Sequence, residues 1–446
     1  MTRLLPHLRL PHGNVHSVSE SKSTRRRLIA VIVVATLIVL VLVIVDLAIG
    51  GRPDPPQLRA AATLLNGSWR FHTGDDQRWA DPNTDDGDWE LIDLTAAPDS
   101  RDGDVGLPDY VGGWMAHGHR GYTGYAWYRR AVDVPSGRAS WDILGPTLVE
   151  DGYELYWNGR LLGGSGRLGA HPRVVGTRPM RFALPAGAAG TRGVIALRVF
   201  MLARSAPSAD GGGMHSAPML APQSVADALH SAQWQRTVAG YIVDAVEPLA
   251  MFGVIVLALW CWPRSSHKGF IILVSVALAL TGIRRLNNAI ASWTDVLDLP
   301  TYSWLAKVMW IPTVAAWIMA WNRWSERAWR SIDALAVVLA AAELFGAFIP
   351  SASVTNASRL ASIALFVVIG VRIARVGPMR ILALVAMALV VAVTFGELLD
   401  PIGVPGIWFP FGIGVSRSQY IYAGLIPLVA ILIVRTLPAE GTTNPD

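Results

Sequence analysis

Five ionisable residues stand inside otherwise apolar stretches: Asp244, Glu247, Arg284, Arg285 and Glu397. An ionised side chain at membrane depth is costly unless it pairs or lines a cavity. All five fall at the same end of their apolar runs, and Asn287 and Asn288 follow one turn after Arg284. One expectation is a charge network near a single membrane face; the other is that each side chain reaches separately to the interface. A second chemistry-bearing stretch is Trp114-Met115-Ala116-His117-Gly118-His119-Arg120-Gly121-Tyr122. Trp114 and Tyr122 offer rings that stack on sugar faces, and His117, His119 and Arg120 offer donors to hydroxyls or carboxylates. This is the candidate ligand surface, weighed against an ordinary packed loop. Two histidines without an evident third ligand do not make a metal centre.

Other motifs carry blander readings. Asp75, Asp76, Asp81, Asp85, Asp86 and Asp88 supply carboxylates of the kind a Ca²⁺ site needs, but such a site takes roughly six or more oxygens. Asp also builds tight turns, and that is the expectation here, with a structural Ca²⁺ as the alternative and no other cofactor. Gly164-Ser165-Gly166-Arg167-Leu168-Gly169 matches a dinucleotide fingerprint in letters only, because His171-Pro172 follows where a helix must run. Gly211-Gly212-Gly213 reads as a hinge between two parts of the chain. The single cysteine, Cys261, lies in an apolar run, so an intramolecular disulfide is excluded.

The elements that must position these residues follow from composition and pattern. Hydrophobic residues make up 52% of the 446 and charged ones 16%, too few to cover several soluble domains. The net charge of +5 sits in short runs beside apolar segments, which reads as membrane topology and not as a nucleic-acid surface. Residues 1–27 form a basic tail ending in Arg25-Arg26-Arg27, and 28–50 an uncleaved transmembrane anchor. Residues 51–237 show short β-type runs between Gly, Pro, Asp and Asn, including Tyr125–Val134, Tyr153–Trp157 and Val194–Met201. In the last, Ile195, Leu197 and Val199 alternate with Ala196 and Arg198, so one face is expected to be buried. Asn158-Gly159 predicts a type I′ hairpin. An all-β sandwich is expected.

Residues 238–437 carry apolar runs expected as seven transmembrane helices near 239–262, 268–290, 303–322, 332–349, 358–376, 380–399 and 417–436, with 438–446 as a tail. Arg264, Lys268, Arg323, Arg327, Arg330, Arg372, Arg375, Arg380 and Arg435 gather on alternate connections. Both termini are therefore expected in the cytoplasm and the sandwich outside. Pro248, Pro312 and Pro427 fall within these helices.

Two stretches carry a resemblance. Gly67-Ser68-Trp69-Arg70-Phe71-His72-Thr73-Gly74-Asp75-Asp76 is one. Gly124-Tyr125-Ala126-Trp127-Tyr128-Arg129-Arg130, followed by Asp151–Arg160 and Ile195-Ala196-Leu197-Arg198-Val199, is the other. Together they resemble the galactose-binding-like jelly roll that opens family-two glycoside hydrolases such as β-galactosidase. In those enzymes the catalytic carboxylates sit on a later barrel, which has no counterpart here, so a glycosidase does not follow.

A jelly roll before seven helices looks like the bacterial seven-transmembrane receptors with diverse intracellular signalling modules. Those usually continue into an output domain, and this sequence departs from them by stopping at Asp446. The resemblance implies a non-enzymatic sensor in the lipid bilayer. It would bind a carbohydrate or other small ligand outside and pass its state to a separate cytoplasmic partner, with no role for nucleic acid. The alternative is a transporter or envelope-biogenesis component that uses the sandwich as a docking platform.

Overall fold

A computed structural model describes residues 55–103, 106–176, 178–203, 209–325, 327–348, 352–375, 379–396, 399, 402 and 416–438. The basic tail, the expected anchor over 28–50, Glu397 and nearly all of the C-terminal tail lie outside the described residues. A short helix α1 (Pro56–Ala60) precedes ten strands. These are β1 (Thr63–Leu64), β2 (Ser68–Thr73), β3 (Glu90–Asp93), β4 (Gly124–Asp133), β5 (Trp141–Leu144), β6 (Gly152–Trp157), β7 (Arg160–Ser165), β8 (Arg181–Ala183), β9 (Arg192–Met201) and β10 (Met219–Pro222). They form a four-stranded sheet in the order β1-β10-β5-β8 and a six-stranded sheet in the order β3-β2-β4-β9-β6-β7.

Every pairing is antiparallel. The two inner faces meet in one apolar core around Trp69, Phe71, Tyr128, Ile143, Tyr153, Leu197 and Leu220. Asn158 (φ 46°) and Gly159 (φ 80°) turn β6 into β7, both in the left-handed region that a type I′ hairpin requires.

The expectation of one buried face on β9 falls short. Ala196 and Arg198 are buried as well as Ile195, Leu197 and Val199. The segment between β2 and β3 folds over the outer face of the six-stranded sheet, where Trp79 and Trp89 cover Trp127 and Ala196. The acidic residues of that segment act there. Asp75 accepts two bonds from Arg198, each 2.6 Å, and Asp86 accepts from Arg129 Nε at 2.9 Å. Asp76, Asp81 and Asp85 take backbone N–H groups two residues on, the turn chemistry expected of them. No group of three metal-ligating side chains occurs among the described residues.

Seven helices follow among the described residues: α2 (Gln223–Cys261), α3 (Lys268–Trp293), α4 (Leu299–Trp324), α5 (Arg330–Phe348), α6 (Ala352–Ala374), α7 (Arg380–Thr394) and α8 (Arg417–Arg435). Among the described residues, five spans are long and apolar enough to cross a membrane, those of α2, α3, α4, α6 and α8; α7 is apolar but shorter. Large apolar side chains such as Leu249, Val256, Ile272, Val276, Val367 and Ile381 face outward, a surface suited to lipid and not to water. Pro248, Pro312 and Pro427 lie inside α2, α4 and α8.

The largest departure from expectation is where α2 begins. The apolar run starts near residue 239, but the helix starts at Gln223, directly after β10. At 1.5 Å per residue its 39 residues rise about 58 Å, roughly twice a hydrocarbon core of ~30 Å. Ala226 and Leu229 anchor the added turns against Leu144, Met219 and Ala221 of the four-stranded sheet. The boundary expected at residue 237 therefore falls inside one continuous helix.

Candidate functional site

The loop carrying Trp114 and Tyr122 is built inward. Trp114 is fully buried, its ring among Phe71 and Tyr122, and its Nε1 donates to the Tyr122 carbonyl at 3.1 Å. Burial removes Trp114 from any ligand-facing surface, which corrects its expected role. The Tyr122 hydroxyl accepts from the Gly74 N–H at 3.0 Å and donates to the Tyr125 carbonyl. His119 packs on Phe71 and sits 2.9 Å from a Glu90 carboxylate oxygen. His117 and Arg120 remain exposed.

The Gly211-Gly212-Gly213 stretch is likewise no hinge. It receives the Met115 and Trp114 N–H groups at 3.1 and 2.9 Å, and Gly212 donates to Glu150. Gly212 and Gly213 both have positive φ (87° and 85°) and lie against Trp114. Glycine is needed there for close packing, not for motion.

The ionisable residues of the helices do converge, in part. Arg285 of α3 donates to Asp244 of α2 at 2.6 Å and lies 3.6 Å from Glu247. Asn288 and Gln419 also donate to Asp244, the latter at 3.3 Å, and Ser418 accepts from Arg285 at 3.0 Å. Asp244 and Glu247 have no solvent exposure at all. Arg284 turns away, its guanidinium 5.2 Å from the Trp310 ring centre, so three of the five expected partners meet and this one does not. Glu397 lies outside the described residues.

Above this cluster the sandwich rests on the helices. Arg173 donates to the Asp295 and Val296 carbonyls at 2.7 and 3.2 Å, and the Leu299 N–H at the start of α4 donates to Val174 at 2.9 Å. Arg181 pairs with Asp227 of α2 at 3.0 Å. Between the two parts lies a cavity of about 230 Å³. Thr147, Leu148 and Pro179 close it from the sandwich, and Gln233, Thr237, Tyr241, Asn288, Ser292 and Tyr302 from the helices. Sequence reading missed this site. The signal was present: Ala226, Leu229, Gln233, Thr237 and Gly240 recur at helical spacing and run straight into the apolar segment.

At the opposite end of the helices, Asn322 and Arg323 bond Asp333, and Arg372 donates to Asn322 at 3.0 Å while stacking 4.0 Å from the centre of the Trp329 ring. Between the two polar ends the core is apolar, from Met251 through Phe270, Trp317 and Trp321 to Val429. The buried hydroxyls of Ser275, Thr281 and Thr313 bond carbonyls of their own helices.

No protein-family model matches the chain, and no curated protein matches it. Among solved structures, a Bacteroides uniformis β-glucuronidase is similar at 22% identity and a TM-score of 0.26, over 36% of this chain and 17% of that one. A family-two β-glucuronidase matches at 21% identity and 0.26 over the same shares. A Faecalibacterium prausnitzii β-glucuronidase matches at 15% identity and 0.26, over 36% of this chain and 31% of that one. The chain thus spans less than a third of the length of each of these glycosidases.

Proposed function

We propose that the protein is a membrane sensor in which the sandwich, lying outside, reports its state inward through α2. The observation that supports this reading is the continuity of that helix. It leaves the four-stranded sheet at Gln223 without a linker, lines the junction cavity at Gln233, Thr237 and Tyr241, and holds Asp244 and Glu247 of the buried ion cluster. A shift or rotation of its outer turns has to be taken up by the bundle, because a packed helix transmits displacement instead of absorbing it.

The orientation rests on the basic connections, Arg264 and Lys268, Arg323 to Arg330, and Arg372 to Arg380, which all lie at the end away from the sandwich. The apolar core between the two polar ends favours relay over transport, since among the described residues it offers no polar route across. A non-enzymatic role is part of the same proposal.

Signalling requires that a ligand bind one conformation better than another. The test is electron–electron spin resonance between labels at Arg264 and Arg375, both exposed at the inner end, with the chain in nanodiscs. Sugars, organic acids and Ca²⁺ are added in turn. The sensor reading expects one class to change the distance distribution. A ligand that raises thermal stability while the distances stay fixed would instead make the sandwich a docking platform.

A further inference from the structure

We infer that the junction cavity is a binding site for a single neutral, polyhydroxylated ring of monosaccharide size. Its volume of about 230 Å³ equals that of roughly eight waters at ~30 Å³ each, smaller than a drug-sized pocket. The Thr237 hydroxyl already donates to the Gln233 carbonyl at 3.0 Å, Ser292 to the Asn288 carbonyl at 2.9 Å, and Tyr302 to the Asn288 side chain at 3.0 Å. Asn288 in turn donates one amide hydrogen to Asp244. Each of these hydroxyls keeps lone pairs after its proton is committed, so the helical wall is rich in acceptors, while Tyr241, Arg236 and the Gln233 amide also bring donors to it.

Gln233 adds another acceptor. Its side chain is 2% exposed, and its Oε1 has no hydrogen-bond partner. A buried acceptor left unmatched is costly, and Gln233 is a residue of the cavity wall. An occupant must therefore bring several donors of its own. Ammonium groups are disfavoured: among the described residues no carboxylate lines the cavity, and Arg236, itself already partnered, is the one charged residue of its wall. Neutral hydroxyls satisfy every condition. The cavity lies where the sandwich meets the outer ends of α3 and α4, so the ring is either a free polyol or the head of a neutral glycolipid such as monoglucosyl diacylglycerol.

The proposal rests on the sensor reading for its consequence, not for binding itself. The test uses the full chain in phosphatidylcholine nanodiscs, with myo-inositol and D-glucose as free probes, glucosamine as the charged counterpart, and monoglucosyl diacylglycerol as the lipid probe. A saturable rise in Tm with a neutral probe is expected, and a weaker one with glucosamine. A rise with myo-inositol or glucose assigns the free source, and a rise only with monoglucosyl diacylglycerol assigns the lipid. Gln233→Leu is expected to raise Tm in the absence of probe, since an unmatched acceptor is replaced by an apolar side chain of similar size, and to weaken neutral-probe binding at least about tenfold. No response to any neutral probe, or an undiminished response in Gln233→Leu, overturns the proposal. Binding without a change in the Arg264–Arg375 distance leaves the site standing and removes the sensor reading alone.

Discussion

The Arg285 guanidinium donates to the Asp244 carboxylate at 2.6 Å across the α2–α3 contact, with Asp244 wholly buried and 7% of the Arg285 side chain exposed. Burial gives this pair its importance. Two charges taken out of water hold each other in place, and removing one strands the other. Arg285→Met should cost about 3–5 kcal/mol in reversible unfolding of the full chain in micelles. Adding Asp244→Asn and Glu247→Gln to that variant should recover most of the loss, because the stranded carboxylates are then neutral. A strictly additive result would show that the three do not act as one unit.

The ligand-like loop divides into a buried and a solvated half, and two variants separate them. Trp114→Ala removes a fully buried indole and should cost about 3–5 kcal/mol. His117→Ala changes an exposed side chain and should stay within about 0.5 kcal/mol of wild type. Denaturant titration of both variants checks the contrast.

Glycine substitutions should be equally position-dependent. A Cβ at Gly113 would run into the Gly212 carbonyl, a backbone atom that cannot swing aside. Gly113→Ala should cost about 1–3 kcal/mol. A Cβ at Gly169 meets nothing within 4 Å, so Gly169→Ala should be close to neutral. Equal Tm values for the two variants would contradict the packing described at Gly211–Gly213.

Acid should weaken the sandwich. Hydrogen bonds from the Thr95 side chain and backbone hold the Asp93 carboxyl below its ordinary value, and those from the Arg78 side chain and backbone do the same for Asp76. A carboxylate whose pKa is lower folded than unfolded contributes stability that is fully present above the unfolded value of about 3.9 and lost as pH falls through the folded one. Tm followed from neutral pH downward should therefore be flat and then decline in the acid range. Asp93→Asn should blunt that decline. An unchanged acid limb would mean that these bonds do not form in solution.

Much of the architecture was legible in the sequence because it rests on period and turn chemistry. Asn158-Gly159 announced its hairpin, the alternation of Ile195, Leu197 and Val199 announced a strand, and long apolar runs announced helices. What stayed hidden depended on non-local contact. Ala196 and Arg198 look solvent-facing in sequence and are buried only because residues between β2 and β3 fold over them. Trp114 looks like a sugar platform until the core closes on it.

The site itself was half legible. Asp244, Glu247 and Arg285 stood out because charges are rare in apolar runs. Gln233, Thr237 and Tyr241 did not, because an amphipathic extension of a membrane helix has a weak apolar signal and lies where a domain boundary was expected.

The central claim is that α2 carries the state of the sandwich into the bundle. Its most direct test is the Arg264–Arg375 distance with saturating neutral probe, in wild type and in a variant with two glycines inserted between Pro222 and Gln223. The account predicts a probe-dependent shift in wild type that disappears in the insertion variant while the probe still binds. A shift of the same size in both, or none in either, would contradict it.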